Sequence, residues 1–366
     1  MKTALLHYWL TNLRGGEKVL AALGELCPEA DVFTHAFGKG MRDADADEPR
    51  WRGHRVRESF IAHLPLGRRK PQMFLPFMPA ASRRLDLSDY ELLVSSESGP
   101  IKGVTKRADQ RHVCYCHTPM RYVWDMHDDY YAAAGLGERL AMRLWTDFMR
   151  REDLRSVESV DTFVANSAFV AERIRRIYGR ESTVVHPPVD VDFFRGDYAK
   201  EDYYLLAGEL IAYKRPDLAL AALTKMDRRI VVLGNGKLRD RLMRQYAGNA
   251  NVTFLGRVDD AALKEAYGKA RALVFPGVED FGIVPVEAQA AGTPVIAFGR
   301  GGALETVKDG VSGLFFREPT ESALCGAVEA FEARSWSVAD CRAAVKDFGV
   351  ERFKEQMRRI LEGLEA

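Results

Sequence analysis

The chain has 366 residues, of which 47% are apolar and 29% charged, with a formal net charge of +1. That length is more than one typical core organises, so two domains are expected, and the near-neutral charge argues against wholesale nucleic-acid binding. No run of 18 apolar residues is present to span a bilayer.

The opening segment, Met1-Lys2-Thr3-Ala4-Leu5-Leu6-His7-Tyr8-Trp9, has one lysine and a brief apolar run. It is too short for a signal peptide and reads as a first strand over 4–8. Arg14-Gly15-Gly16-Glu17-Lys18 follows and opens a helix with Val19, Leu20, Leu23 and Leu26 inward. A glycine pair after a strand lets backbone approach a ligand closely. Asp43-Ala44-Asp45-Ala46-Asp47-Glu48 has the look of a metal-binding acidic motif, but its place between Gly40 and Pro49 reads as a solvated polar loop, so no metal is expected.

Residues 50–84 stand out by composition. Arg50, Arg52, Arg55, Arg57, Arg68, Arg69, Lys70, Arg83 and Arg84 face one acid, Glu58, with Phe60, Ile61, Leu64, Leu66, Met73, Phe74, Leu75, Phe77 and Met78 interleaved. Such a mix suits an anionic membrane surface; the bland alternative is a core-packed helix pair with a basic outer face.

Further strands are expected over 92–95, 112–116 and 162–165. Cys116-His117-Thr118-Pro119-Met120-Arg121-Tyr122-Val123-Trp124-Asp125 leaves the strand at 112–116. A histidine at a strand's carboxyl end, in a loop rich in Arg, Tyr and Trp, is a candidate for an active site. Asn166-Ser167 caps a helix that continues through Tyr178. His186-Pro187-Pro188-Val189-Asp190 halts regular structure, and the domain boundary is placed at 187–200, between a first domain over 1–190 and a second over 200–345.

The second half alternates strands over 203–207, 229–233, 252–255, 272–275 and 294–297 with helices near 216–224, 238–247, 260–269 and 284–292. This is the pattern of parallel α/β sheets, with ligands expected at the carboxyl ends of strands. Tyr213-Lys214-Arg215-Pro216-Asp217 puts two cations after its first strand, where they can neutralise a departing diphosphate. Leu233-Gly234-Asn235-Gly236-Lys237 ends another strand, and a lone Gly-x-Gly there is a weak signal. Pro276-Gly277-Val278-Glu279-Asp280-Phe281-Gly282-Ile283-Val284-Pro285-Val286-Glu287 follows the strand at 272–275. Pro285 suits a helix's first turn, which places Glu279 in the loop and Glu287 in that first turn. Open amides and the helix dipole make an anion site there. Two carboxylates beside it can bind hydroxyls of a molecule whose phosphates fill it. Phe353, Met357, Ile360, Leu361 and Leu364 close the chain, over 346–366, at helical spacing.

The cysteines are Cys27, Cys114, Cys116, Cys325 and Cys341. The odd number and irregular spacing argue against a disulfide framework or a zinc site, and for a reduced protein of the cytosol. Cys114-Tyr115-Cys116 is read as a strand whose neighbours point to opposite faces.

The Glu279–Glu287 segment, followed by Ala291-Gly292-Thr293-Pro294-Val295-Ile296-Ala297 and Gly301-Gly302, resembles the donor-binding motif of the retaining glycosyltransferases of family 4. That resemblance implies α/β, two Rossmann-like domains with parallel sheets facing across a cleft (the GT-B fold), and a terminal helix returning to the first domain. It implies Glu279 as ligand of the donor sugar and Glu287 of the ribose. Gly15 and Gly16 would face the donor diphosphate; Lys214, Arg215, Gly234, Phe281, Gly282, Ile283 and Val284 would complete the donor site. His117 would lie at the reacting centre, with Arg121, Tyr122 and Trp124 on the acceptor. The family usually carries an arginine where Glu209 stands, so one phosphate partner is exchanged for an acid.

By the same resemblance, the expected activity is metal-independent, cofactor-free transfer of a hexose from a nucleotide sugar to a saccharide, with retained anomeric configuration. It is similar to that of bacterial mannosyl- and rhamnosyltransferases of surface polysaccharide assembly, with GDP-mannose as the favoured donor. The acceptor would be carried on a polyprenyl diphosphate at the inner face of the plasma membrane. Rival readings are a UDP- or dTDP-sugar transferase, a sugar-nucleotide epimerase, a phosphorylase and a non-catalytic binding member.

Overall fold

The computed structural model describes residues 1–47 and 53–363. The chain forms two compact units, Met1–Pro188 together with Phe353–Ala366, and Val189–Arg352. Each is built on one parallel sheet.

The first unit carries β1 (Thr3–His7), β2 (Asp31–Thr34), β3 (Val56–Glu58), β4 (Leu92–Glu97), β5 (Arg111–Cys116), β6 (Thr162–Ala165) and β7 (Ser182–Val184). They lie in the order β3-β2-β1-β4-β5-β6-β7, every pair parallel. Strands buried on both faces are predominantly apolar, as in Thr3–His7, where every residue is buried and Ala4, Leu5 and Leu6 form the apolar centre. The order reverses between β1 and β4, and in such a sheet ligands bind outside the carboxyl ends of the strands at that reversal.

The second unit carries β8 (Tyr204–Ala207), β9 (Ile230–Leu233), β10 (Val252–Gly256), β11 (Ala272–Phe275), β12 (Val295–Phe298) and β13 (Gly313–Phe316). Their order is β10-β9-β8-β11-β12-β13, again parallel. Here the reversal lies between β8 and β11, the two strands that precede the Lys214 and Glu279 loops.

The strands expected from sequence are present to within a residue or so. Those at β2, β3, β7 and β13 were not expected, nor were the helices Glu321–Glu332 and Val338–Ala344. The helix after Asn166-Ser167 runs Ala168–Tyr178, and Ser167 accepts the Val170 amide at 3.1 Å as its N-cap. The last helix, Val350–Leu361, buries Phe353, Met357, Ile360 and Leu361 in the first unit's core with Leu5, Val19, Leu23 and Tyr115; Leu364 lies outside the described residues.

One sequence expectation is corrected. The segment Lys39–Asp47 is a helix, not a loop, because Gly38 and Gly40 open a turn that the alternating Ala and Asp residues then continue; the residues after Asp47 up to Arg52 lie outside the description. Among the described residues no cluster of acids, histidines and cysteines could hold a metal ion. Cys114-Tyr115-Cys116 lies in β5 with chain neighbours on opposite faces, as its strand reading requires. Two residues along a strand share a face, and both cysteines pack with Phe163 and Val170 while Tyr115 enters the opposite core. All five cysteines are free.

The 50–84 segment, in its described part, is mostly folded inward. Ile61, Met78 and Ala81 form a small core, with Phe60, Leu64, Phe74 and Leu75 against it. Arg57 pairs with Asp31, Arg68 with Glu58 and Arg83 with Glu152. Of its large apolar side chains, Leu66 at 50%, Met73 at 59% and Phe77 at 53% exposure stay outward, beside the exposed Arg55, Arg68, Arg69, Lys70, Arg83 and Arg84. Among the described residues no helix is long and apolar enough to cross a membrane.

Candidate active site

In the second unit, β8 ends at Ala207 and the chain passes through Gly208 and Glu209 to a short turn at Ala212–Lys214. Arg215 then adopts φ +52°, a left-handed conformation uncommon for a residue with a side chain. It caps the helix Pro216–Lys225, whose first residue, Pro216, needs no amide partner. Its guanidinium is bonded to the Asp217 carboxylate at 3.1–3.2 Å. That contact occupies one edge of a group expected from sequence in the donor site.

Lys214 turns instead toward β11. Its Nζ lies 2.8 Å from Glu279 Oε1, with each side chain 20% exposed. Burial works against the ammonium charge, but Glu279, Tyr213 and Glu209 outweigh it and hold the pKa above the ordinary lysine value. The cation is therefore permanent in the neutral range. Lys214, Glu279 and Glu209 line one pocket with Gly208 and Gly277. Gly277 has to be glycine: a Cβ there would stand 2.5 Å from Lys214 Cα. The Glu279 loop is fixed from behind by the amide of Gly302, which donates to Glu279 O at 2.9 Å. The Gly234 loop meets the same strand end, with the Leu210 amide donating to Asn235 O at 2.9 Å.

Glu287 requires a correction. The helix begins at Ile283, after Gly282 at φ +89°, one residue before the expected 284. Glu287 is thus its fifth residue, on the second turn. Its side chain is buried and accepts a hydrogen bond from the Tyr267 hydroxyl at 3.0 Å. Phe281 is buried, with its ring edge-on to Phe348 at 5.4 Å. Ile283 and Val284 supply first-turn amides, which have no carbonyl partner within the helix.

In the first unit, the reversal point gathers polar groups in an apolar setting. His7, on the last residue of β1, places Nδ1 2.6 Å from Ser96 O on β4 and Nε2 3.7 Å from Glu17 Oε1. Glu17 is buried and also accepts the Arg14 amide at 2.9 Å, a capping box that fixes the Gly15-Gly16 helix start. His117 Nε2 is 2.9 Å from Ser96 Oγ, and its carbonyl accepts from Asn166 Nδ2 at 2.9 Å. A Cβ on Gly16 would lie 3.5 Å from His117 Nε2 and 3.6 Å from His7 Cε1. Gly16 and His117, singled out separately in the sequence, are therefore neighbours. Burial, then the proximity of His7 and Arg121, pushes the His117 pKa down to about 3, so the ring is neutral near pH 7. Tyr8, also beside Gly16, is pushed well above the usual phenol range, by burial first and then by Glu17.

Sequence reasoning missed His7, Tyr8, Glu17 and Ser96. The only signal available was that each lies at or next to the carboxyl end of its strand, His7 last in β1 and Ser96 one residue before the end of β4.

The acceptor candidates divide. Trp124 donates its indole N–H to Asp153 at 2.7 Å, inside a buried cluster in which Lys102 lies 2.7 Å from Asp153 and 3.1 Å from Glu97. It is an anchor for the loop. Asp125 is held by Arg173 at 2.5 Å and Arg176 at 2.6 Å. Arg121 and Tyr122 are half-buried between these anchors and His117.

Solved structures share this architecture. The Anabaena protein Alr3699/HepE in complex with UDP and glucose superposes over the full length of both chains with a TM-score of 0.72 at 16% identity. The lipopolysaccharide outer core galactosyltransferase WaaB, in its apo form, does so with a TM-score of 0.66 at 14% identity. The fold is GT-B. The family description "Glycosyltransferase Family 4" matches residues 13–193 and "Glycosyl transferases group 1" matches 191–348. The chain belongs to this family of glycosyltransferases. The D-inositol 3-phosphate glycosyltransferase of Mycobacterium sp. (strain JLS) is 33% identical over 181 residues, covering 43% of this chain. The chain spans about two fifths (41%) of the length of that relative.

Proposed function

We propose that the protein transfers a hexose from a nucleotide sugar to a saccharide acceptor with retention of anomeric configuration. The observation that carries this reading is the Lys214–Glu279 ion pair at the strand-order reversal of the second sheet. It pairs a permanent cation, suited to a diphosphate leaving group, with a carboxylate suited to sugar hydroxyls.

The anomeric carbon–oxygen bond to the diphosphate breaks, and the acceptor oxygen bonds to the same face of the sugar. Its proton passes to the departing phosphate oxygen. Negative charge grows on the diphosphate, where Lys214 and the amides of Ile283 and Val284 stabilise it. Donor binding would displace Lys214 partly from Glu279, freeing the carboxylate for sugar hydroxyls. Glu287, already bonded to Tyr267, would accept from the ribose with its remaining lone pairs. His117, neutral and held by Ser96, would face the reacting centre from the first unit, which takes the acceptor. Metal is unnecessary in this scheme, because cation and amides do its work.

GDP-mannose remains the proposed donor, from the likeness to mannosyl- and rhamnosyltransferases. A UDP-sugar is the second reading, favoured by the UDP and glucose in the complex of the Anabaena neighbour. The proposed setting is surface polysaccharide or glycolipid synthesis, as the name of WaaB suggests for that neighbour, with a lipid-linked acceptor at an anionic membrane face.

The deciding experiment incubates the protein with GDP-mannose or UDP-glucose and acceptor, and reads the product linkage by NMR. An α-configured donor gives an α-linked product on this reading; a β-linked product rejects it. Turnover of one donor and not the other fixes the base.

A further inference from the structure

The carboxyl edge of the first sheet carries a second feature, away from His117. An open cavity is lined by Lys39, Arg42, Arg68 and Arg69 and by the backbone of Gly38 and Gly40. No acid lines it. The one carboxylate behind it, Glu58, is 12% exposed and braces two of the cations, 2.8 Å from Arg42 and 2.7 Å from Arg68. Burial pushes the Glu58 carboxyl up, but bonds from Arg68, the Phe37 amide and Arg42 hold it below the usual range. It stays charged and fixes both guanidiniums. Lys39 and Arg69 are exposed and have no ion-pair partner among the described residues.

The backbone that presents the arginines is strained. Leu66 holds φ +64°, and a Cβ at Gly67 would collide with Ile61 O. Lys70 and Arg69 amides both return to Leu66 O, at 2.7 and 2.9 Å. A leucine in the left-handed region persists only where its surroundings over-determine it, and such residues gather at binding sites. Opposite, Gly38 and Lys39 open the helix Lys39–Asp47, whose first amides point the same sign of potential.

We propose that this groove binds the phosphate or diphosphate of a phosphorylated acceptor. Guanidiniums fixed by a buried carboxylate present paired donors matched to phosphate oxygens. The groove follows β2, and the strand order places β2 three strands from β5, which precedes His117. That is about 14 Å at the usual strand spacing. The phosphate is then a handle remote from the bond being formed, and the sugar between them reaches His117. The inference rests on the first unit taking the acceptor.

Inorganic pyrophosphate is the probe. Calorimetry is run with excess GDP present, so that the nucleotide site is filled. The native protein should bind pyrophosphate at one further site. The double variant Lys39→Gln, Arg69→Gln should bind it at least tenfold more weakly, with GDP affinity and melting temperature unchanged. Both side chains are exposed, so folding is not at stake. Equal pyrophosphate affinity in the two proteins, or none in the native one, overturns the proposal. Absent GDP binding would instead reject the GDP-sugar reading, and the titration is then repeated with excess UDP; absence of both would reject the nucleotide-sugar reading, with the difference between native protein and double variant still testing the groove. Vesicles carrying a polyprenyl diphosphate, compared with phosphatidylglycerol vesicles of equal charge, separate the sources. Preference for the former, lost in the double variant, assigns a lipid diphosphate. Competition of a soluble sugar phosphate with pyrophosphate, without vesicle preference, assigns a soluble acceptor. Phosphatidylglycerol binding that survives the double substitution counts against the groove as a phosphate site.

Discussion

Lys214 and Glu279 neutralise one another at 2.8 Å in a pocket that admits little water. Losing either leaves a half-buried charge unpaired, so the two substitutions should differ in kind. Lys214→Ala should lower kcat by roughly 10²-fold, since the charge it meets grows only in the transition state, with a smaller change in nucleotide affinity. Steady-state kinetics beside nucleotide titration separates the two. Glu287→Ala should weaken nucleotide binding by roughly 1.5–3 kcal/mol if the ribose hydroxyls lose a charged acceptor. Tyr267→Phe, which removes only the hydroxyl that holds Glu287, should cost less. Unchanged affinity in calorimetry for both would remove Glu287 from the donor site. Activity should also persist in excess chelator; complete loss restored by magnesium or manganese would contradict a cation-and-amide mechanism.

Elements were legible where burial is two-sided. β8, β9, β11 and β12 are apolar runs closed by glycine or proline, which no helix period imitates. β2, β3 and β7, three or four residues long and part-exposed, leave too little pattern to read. Glu279 and Lys214 were legible because their loops follow strong strands. The turn holding Glu287 was misjudged because proline was taken as a first-turn signal, whereas glycine at φ +89° sets the start. His7 and Ser96 were invisible because their meeting depends on β1 lying beside β4, which one strand's sequence does not encode. The helix Leu136–Ser156 adds a surface that composition alone did not isolate. Leu136 is 88%, Leu140 61% and Leu144 68% exposed, one stripe at i, i+4 spacing, and the helix packs against the Pro71–Phe77 segment that exposes Met73 and Phe77. If the membrane reading holds, binding to anionic vesicles should be salt-sensitive and should fall with Leu140→Glu, Leu144→Glu and with reversal of Arg69 and Lys70. Equal co-sedimentation with neutral and anionic vesicles at low salt would reject it.

The two units should answer acid differently. His35 and His112 are fully buried in the first unit, and desolvation lowers their pKa values to about 3 and about 4. The unfolded chain protonates both near pH 6.5 while the native chain does not, so their contribution to stability is lost as pH falls from there. Glu97 acts in the opposite sense. Burial first, and then Asp153, raises it to about 6 against the pull of Lys102, so the native state takes its proton earlier and the stability gained is present at low pH. With His117, also held at about 3, three histidines against one carboxyl leave a net loss of roughly 2–3 kcal/mol per pH unit between about pH 6 and 4.5. Thermal melts across that range should show a first transition that moves down with acid, assigned by fluorescence or exchange to the first unit. A single transition that does not shift would contradict this.

The terminal helix has a further consequence, for synthesis. Phe353, Met357 and Ile360 fill the core built around β1 and the helix Gly15–Leu26, yet some 330 residues separate them along the chain. A ribosome delivers residues in order, and domains generally fold as they emerge. The first unit emerges early and cannot close its apolar interior, because the side chains that seal it are translated after the whole of the second unit. The second unit, continuous from Val189 to Arg352, can fold while its predecessor waits. The order of folding is thereby the reverse of the order of synthesis, and an interrupted message yields a finished second unit beside an open first core that chaperones would have to shield.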